Sequence, residues 1–285
     1  MRMMKTGFLL TGLTLVLVFA GRALAGPQGM TFGLMIAVVM NGIAYFFSDK
    51  IALRSSGARP VTREQAPRLY TIMERLAARG NLPMPKLYVI PQPAPNAFAT
   101  GRNPSHASVA ATEGLLELLN DEELEGVIAH ELAHVRNYDI LIASVAATLA
   151  GAISWMASMA RWGMIFGGMG GGRDERRGGG LEMIVMMIVA PLAAMIVQFG
   201  ISRQREYAAD AAAARLIGHP YGLISALEKL GAYNKSIPMT NVSPATSSLY
   251  IVMPLSPGQV FSGLFSTHPP LSERIAALRQ MTVVR

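Results

Sequence analysis

The chain contains no cysteine, which removes disulfides, thiolate nucleophiles and cysteine zinc ligands from consideration. Charge is also scarce: 15% of the 285 residues are Asp, Glu, Lys or Arg, against 51% hydrophobic. A mean hydropathy of +0.34 is too apolar for an average soluble domain and points to membrane spans. Aromatic residues make up only 7%. No basic stripe is interleaved with them, which argues against a single-stranded nucleic-acid surface. The formal charge of +7 has a plainer source, because much of the basic excess flanks apolar runs, where Lys and Arg set orientation in a bilayer. No nucleic-acid partner is expected. The glycine cluster at 167–180 reads as low-complexity linker, since no strand leads into it.

Four apolar stretches are present. The first lies between Lys5 and Arg22. It shares features with a cleavable signal peptide, but Arg22 and a glycine break the small-residue cleavage region, so a retained anchor is expected. The second runs without charge from Ala23 to Ser48, the third from Ile140 to Ala160, and the fourth from Met183 to Ile201 with a tolerable Pro191. Lys50, Arg54, Arg59 and Arg63 follow the second stretch, which places the N-terminus and the region from 49 onward in the cytoplasm. Arg161, Arg173, Arg176 and Arg177 lie between the third and fourth stretches. That excess is wrong for an outside loop, so this pair either crosses fully or forms a shallower hairpin. The expected organisation is two N-terminal spans over 1–48 and a first cytoplasmic half over 49–139. Two further membrane helices over 140–201 and a second cytoplasmic half over 202–285 complete it.

The soluble halves read as mainly helical with a small β element. Thr62 to Arg79 is predicted helical, with Thr62 and Gln65 as a capping box and Gly80 as its stop. Short strands are predicted at 87–90, 96–100 and 107–111, the last two separated by a Gly-Arg-Asn-Pro turn signal. Asn120-Asp121-Glu122-Glu123 opens a helix with an amide cap and an acidic first turn. Helices are also expected over 202–217, 221–233 and from Pro269-Pro270 to about Met281.

His130-Glu131-Leu132-Ala133-His134 lies on the helix that Asn120 opens. Histidines four apart project from one helical face, so both imidazoles can bind one zinc. Glu131 is placed to serve as general base for a water at the metal without ligating it. A third protein ligand is needed while one position stays open. Glu206 is the best candidate, in a helix where Asp210 follows four residues later. One of these carboxylates can ligate while the other accepts the free ring N–H of a ligating histidine, fixing its tautomer. Tyr207 and His268 are candidates to donate to a tetrahedral oxyanion. His106 and His219 read as ordinary strand and helix-start residues.

Together with Asn96-Ala97-Phe98-Ala99 and Thr267-His268-Pro269-Pro270, these motifs resemble the HtpX family of bacterial membrane metalloproteases, relatives of the CaaX prenyl proteases. The resemblance covers nearly the whole chain. It implies a gluzincin-like zincin fold with about four transmembrane helices. It also implies one zinc per chain held by His130, His134 and Glu206, with Glu131 as general base and Asp210 as an orienting carboxylate. Asn96 would lie on or beside an edge strand holding extended substrate, and His268 and Arg274 would face the cleft.

His134 precedes the third apolar run by six residues, about 9 Å of continuous helix, which sets the metal close to the cytoplasmic face of the bilayer. The expected activity is zinc-dependent endopeptidase action at the cell inner membrane on misfolded or damaged membrane proteins, with unfolded polypeptide and the bilayer as partners. A non-proteolytic scaffold with a structural zinc is the competing class. Structural sites have four protein ligands and no adjacent base, which argues against it. A CaaX-type protease would carry more spans enclosing a chamber.

Overall fold

The computed structural model describes residues 2–149, 203–233, 249–252 and 269–281. The fourth apolar stretch, the arginine-bearing loop before it and His268 lie outside the described residues.

Helix α1 covers Arg2–Ser55 and folds back on itself at Gly26, whose φ of +61° suits a residue without Cβ. Pro27 follows immediately, at a position where its missing N–H costs nothing to the second arm. The arms run side by side: the Asn41 amide donates to the Thr14 hydroxyl at 2.9 Å, and Leu13 and Ala44 share one apolar cluster. The arm Gly26–Ser55 is 30 residues long and is the one described helix long and apolar enough to cross a membrane. Its exposed surface is apolar, with Phe32, Val38, Val39 and Phe46 among the outward side chains. About four spans were expected; the described residues contain this one, plus shorter apolar helices at Thr6–Phe19 and Asp139–Leu149.

A four-stranded sheet of order β1-β2-β4-β3 follows, built from Arg59–Pro60, Lys86–Ile90, Ala97–Gly101 (β3) and Ala107–Thr112 (β4). β2 and β4 are parallel, and β3 and β4 form an antiparallel hairpin. β3 is therefore an edge, as is the two-residue β1, where a proline is tolerated. Helix α2 spans Pro67–Arg79 and starts later than the sequence pattern implies. Half of the expected cap is present, since Gln65 accepts from the Thr62 N–H at 2.9 Å. Pro67, however, disfavours helical geometry at Ala66 and itself occupies the first helical turn.

The short α3, Glu113–Leu118, leads into α4, Asp121–Arg136. α4 opens with the expected amide cap, closed into a full capping box: Asn120 accepts from the Glu123 N–H and Glu123 accepts from the Asn120 N–H, both at 2.9 Å. After Asn137 and Tyr138 (φ 60°), the chain re-enters helix as α5, Asp139–Leu149. Leu141 and Val145 of α5 share the cluster of Leu13 and Ala44. The second half supplies α6 (Arg203–Ile217), α7 (Tyr221–Tyr233) and α8 (Leu271–Arg279).

α4 is the centre of the part built around the sheet, its inner face buried from Leu124 to Val135 in a core shared with α2, the sheet, α6 and α7. Its crossing with α7 is made backbone to backbone. A Cβ on Gly126 would lie 2.5 Å from the Leu223 nitrogen, and one on Gly222 would lie 2.2 Å from the Glu122 carbonyl oxygen. Two glycines therefore fix how closely α4 is seated, and with it the height of the histidines.

Candidate metal centre

α4 and α6 bring the sequence motifs together. His130 Nε2 and His134 Nε2 are 3.1 Å apart, and Glu206 carboxylate oxygens lie 3.7 Å from the first and 3.5 Å from the second. Metal–ligand bonds of 2.0–2.1 Å in a tetrahedron put ligand atoms about 3.3 Å apart. The two imidazole nitrogens thus sit near the spacing of two tetrahedral corners, the two carboxylate oxygens lie slightly farther out, one against each ring, and two imidazoles with a carboxylate form a donor set suited to zinc. The residues fit a divalent ion with one corner left over.

Each histidine is steered from behind. His130 Nδ1 lies 2.9 Å from Asp210 Oδ1, so the ring N–H points at Asp210 and the Nε2 lone pair points at the cluster. Asp210 is in turn gripped twice by Arg274, from Nε at 2.8 Å and Nη2 at 2.7 Å. Arg274 Nη2 also approaches His130 Nδ1 at 3.4 Å, but a nitrogen donating to Asp210 accepts nothing, so we assign no bond there. The placement of Arg274 differs from the expected cleft-facing one. The side chain is fully buried, with its guanidinium engaged by Asp210, by the Ile251 carbonyl at 3.1 Å and, at 3.7 Å, by Glu206. The sequence signalled the residue but not its direction.

His134 has a different support, Asp139 Oδ2 at 3.3 Å from Nδ1, and Arg205 stands 3.7 Å from the other oxygen of that carboxylate. Neither Asp139 nor Arg205 was singled out from sequence. An acidic residue opening the apolar run directly after the motif was the available signal.

Burial, with help from Arg274, lowers the pKa of His130 to about 4, leaving a neutral ring. At His134 burial also acts downward, but the hydrogen bond to Asp139 and the nearby Glu206 and Glu131 carboxylates outweigh it and lift the value to about 9. The two rings are thus pushed in opposite directions, His130 toward the neutral form and His134 toward the charged one. Glu131 is buried, and desolvation pushes it up to about 7. The backbone N–H of Ala99 on β3 acts on it in the opposite direction. Burial raises the pKa of Asp210, yet the Arg274 charge and hydrogen bonds pull it below the ordinary value.

Asn96 immediately precedes edge strand β3, where it was expected. Its side-chain amide is used within the chain, donating to the Val252 carbonyl at 2.6 Å and accepting from the Val252 N–H at 3.3 Å. Tyr207 donates to Glu273 at 2.8 Å on the outer side of α6. His106 is exposed against Asn103, and His219 stacks on Tyr221.

Comparison with known proteins agrees with this geometry. The chain is 56% identical to a protease HtpX homolog of Desulfatibacillum aliphaticivorans over 274 residues, covering 96% of this chain and 88% of that one. It is 52% identical to a protease HtpX homolog of Syntrophotalea carbinolica over 284 residues, the full length of both. The crystal structure of S. mikatae Ste24p superposes with a TM-score of 0.54 at 21% identity. That alignment covers 97% of this chain but only 64% of Ste24p, and the likeness is one of fold. The model of peptidase family M48 matches residues 63–282, from the turn before α2 to beyond α8. With both histidines, Glu131, Glu206 and Asp210 inside that match, the chain is a metalloendopeptidase and belongs to peptidase family M48.

Proposed function

We propose that this chain is a zinc-dependent endopeptidase of the cytoplasmic membrane that cuts cytoplasmic segments of misfolded or damaged membrane proteins. The observation that carries the reading is the convergence of His130 Nε2, His134 Nε2 and the Glu206 carboxylate, whose oxygens lie 3.7 Å from the first ring and 3.5 Å from the second, with Glu131 buried beside them. His130, His134 and Glu206 would hold the ion. Bound there, zinc supplies Lewis acidity, making water a nucleophile near neutral pH and polarising the scissile carbonyl.

The chain's own residues do the rest. Glu131, pushed by burial to about 7, takes a proton from the attacking water and passes it to the leaving amine nitrogen. Asp210, locked by Arg274, keeps the His130 ring turned with Nε2 toward the cluster, and Asp139 does the same for His134. The side of β3 away from β4, where the Ala97 carbonyl is taken by the Ile251 N–H at 3.0 Å, offers its remaining main-chain groups to grip an extended polypeptide with little regard for sequence.

Support for the membrane setting comes from α1 and α5. α5 starts three residues after α4 ends and packs its apolar side chains on the α1 hairpin, which ties the metal helix to the chain's most apolar part. Lys50, Arg54, Arg59 and Arg63 at the end of the spanning arm support a cytoplasmic catalytic side.

The test is cleavage of a misfolded membrane protein by the purified full chain in detergent. Glu131→Gln is expected to lower the rate by about 10²–10⁴-fold with zinc content unchanged. Equal cleavage by the two proteins would overturn the reading.

A further inference from the structure

Outside the metal cluster, a cavity of about 940 Å³ lies where the C-terminal turns of α2, α4 and α6 meet. Its charged lining residues are Arg79, Arg136 and Arg215, and the rest is Asn137, Leu216 and three alanines, with no acidic residue. On two of the same helices Arg68, Arg75 and Arg205 each meet a carboxylate. The three arginines at the cavity are exposed and have no ion-pair partner among the described residues. Each lies in the last turn of its helix, where a cation offsets the macrodipole. That accounts for part of the charge only. Three helix C-termini carry about −1.5 elementary charges against three full positive ones, which leaves about +1.5 unmatched. The cavity is therefore suited to an anion of one or two charges.

Its position says which anion. α2 runs in the same direction as α4, since Arg68 bonds Asp121 and Arg75 meets Glu125 at 2.8 Å, so both helices aim their C-termini the same way. That is the end at which the apolar α5 starts: Asn137 lines the cavity, Tyr138 is 43% exposed, and Asp139 opens α5. Tyrosine and arginine beside the start of an apolar helix are the residue types found at headgroup depth. A guanidinium matches phosphate with two parallel N–H bonds. A peptide groove, by contrast, needs aromatic or apolar anchors, and Leu216 is the one large apolar side chain in this lining.

Resting on the membrane reading above, we propose that this cavity binds the phosphate of an anionic phospholipid headgroup, and a headgroup with two phosphates most tightly. Arg136 and Asn137 hold it at the turn between the metal helix and α5, while Arg79 and Arg215 reach it from α2 and α6.

The experiment titrates the purified full chain in nonionic detergent with diphosphatidylglycerol, phosphatidylglycerol or phosphatidylcholine, and counts bound lipid by native mass spectrometry. Inorganic phosphate and a glutamate-rich peptide serve as competitors. Arg79→Gln, Arg136→Gln, Arg215→Gln and the triple variant are compared with a control carrying Arg63→Gln, Arg75→Gln and Arg279→Gln, which removes the same charge elsewhere. Diphosphatidylglycerol is expected to bind best, and phosphatidylcholine is expected not to displace it. Each single variant is expected to weaken binding about fivefold and the triple about a hundredfold, the worth of one and of three basic residues beside a headgroup. The control is expected to bind as wild type does. If the triple variant binds as well as the control, the site is overturned. Displacement by inorganic phosphate at equal phosphate concentration, or by the peptide, would make the occupant a soluble anion or an acidic segment and overturn the lipid assignment. Should the triple variant lose Tm, phenylglyoxal labelling of wild type decides. Diphosphatidylglycerol is expected to protect Arg79, Arg136 and Arg215, and full labelling of all three in its presence overturns the site. Failure of the membrane reading shows separately, as wild type that leaves the membrane fraction on carbonate washing without detergent.

Discussion

The two histidines come from one helix, yet what stands behind each differs. His130 is 1% exposed and backed by a buried carboxylate–guanidinium pair recruited from α6 and α8. His134 is 15% exposed in its side chain and backed by Asp139, five residues away, with Arg205 beyond it. One ligand is held from the dry interior by parts distant in sequence, the other locally at the junction with the apolar helix. A support of the first kind is hard to remove without harming the fold. One of the second kind tunes the metal with little effect on stability.

Removing the buried carboxylate gives the sharpest test of that contrast. Asp210→Ala strips the buried Arg274 of its two shortest charged contacts and leaves Glu206 at 3.7 Å as the nearest carboxylate, so a loss of about 3 kcal/mol is expected in denaturant unfolding, together with roughly 10–100-fold weaker zinc binding. A stable variant with normal zinc content would show that the pair behind His130 is dispensable. Asp139→Asn comes next. About tenfold weaker zinc binding is expected at near-native Tm, read by competition with a chelator. A large Tm loss would erase the distinction between the two supports.

The smallest effect is expected at the far end of α4. Burial raises the pKa of Glu123, but hydrogen bonds from Lys229, Ser225 and the Asn120 backbone outweigh it and hold the value below 4.5. A carboxylate lowered in the folded state lends stability above its unfolded pKa and loses it as pH falls through the folded one. Glu123→Gln is therefore expected to cost about 1–2 kcal/mol at pH 7, and less as the pH drops below 4.5. Melting curves at pH 7 and pH 3.5 check this, and an equal cost at both would refute it.

What was legible in the sequence was local. The Asn120–Glu123 box, the histidine pair and the Glu206–Asp210 pair each declare themselves within four residues, because helical periodicity puts such groups on one face. Asp139 escaped because Tyr138 leaves helical geometry and breaks that period. The direction of Arg274 escaped because it depends on where α8 docks. The Asn96–Val252 contact was out of reach, spanning 156 residues with main-chain groups that leave no trace in side-chain type. The late start of α2 turned on Pro67, whose effect on the preceding residue outweighed a plausible cap.

Only Asn137 and Tyr138 separate the metal helix from the apolar one, and Asp139 is the first residue beyond them. The carboxylate that aims the outer imidazole is thus mounted on a lever whose other arm, through Leu141 and Val145, rests on the N-terminal hairpin. On the proposed membrane reading, bilayer thickness and tension act on that arm, and the lipid composition around the protein would become a variable of the metal site's chemistry.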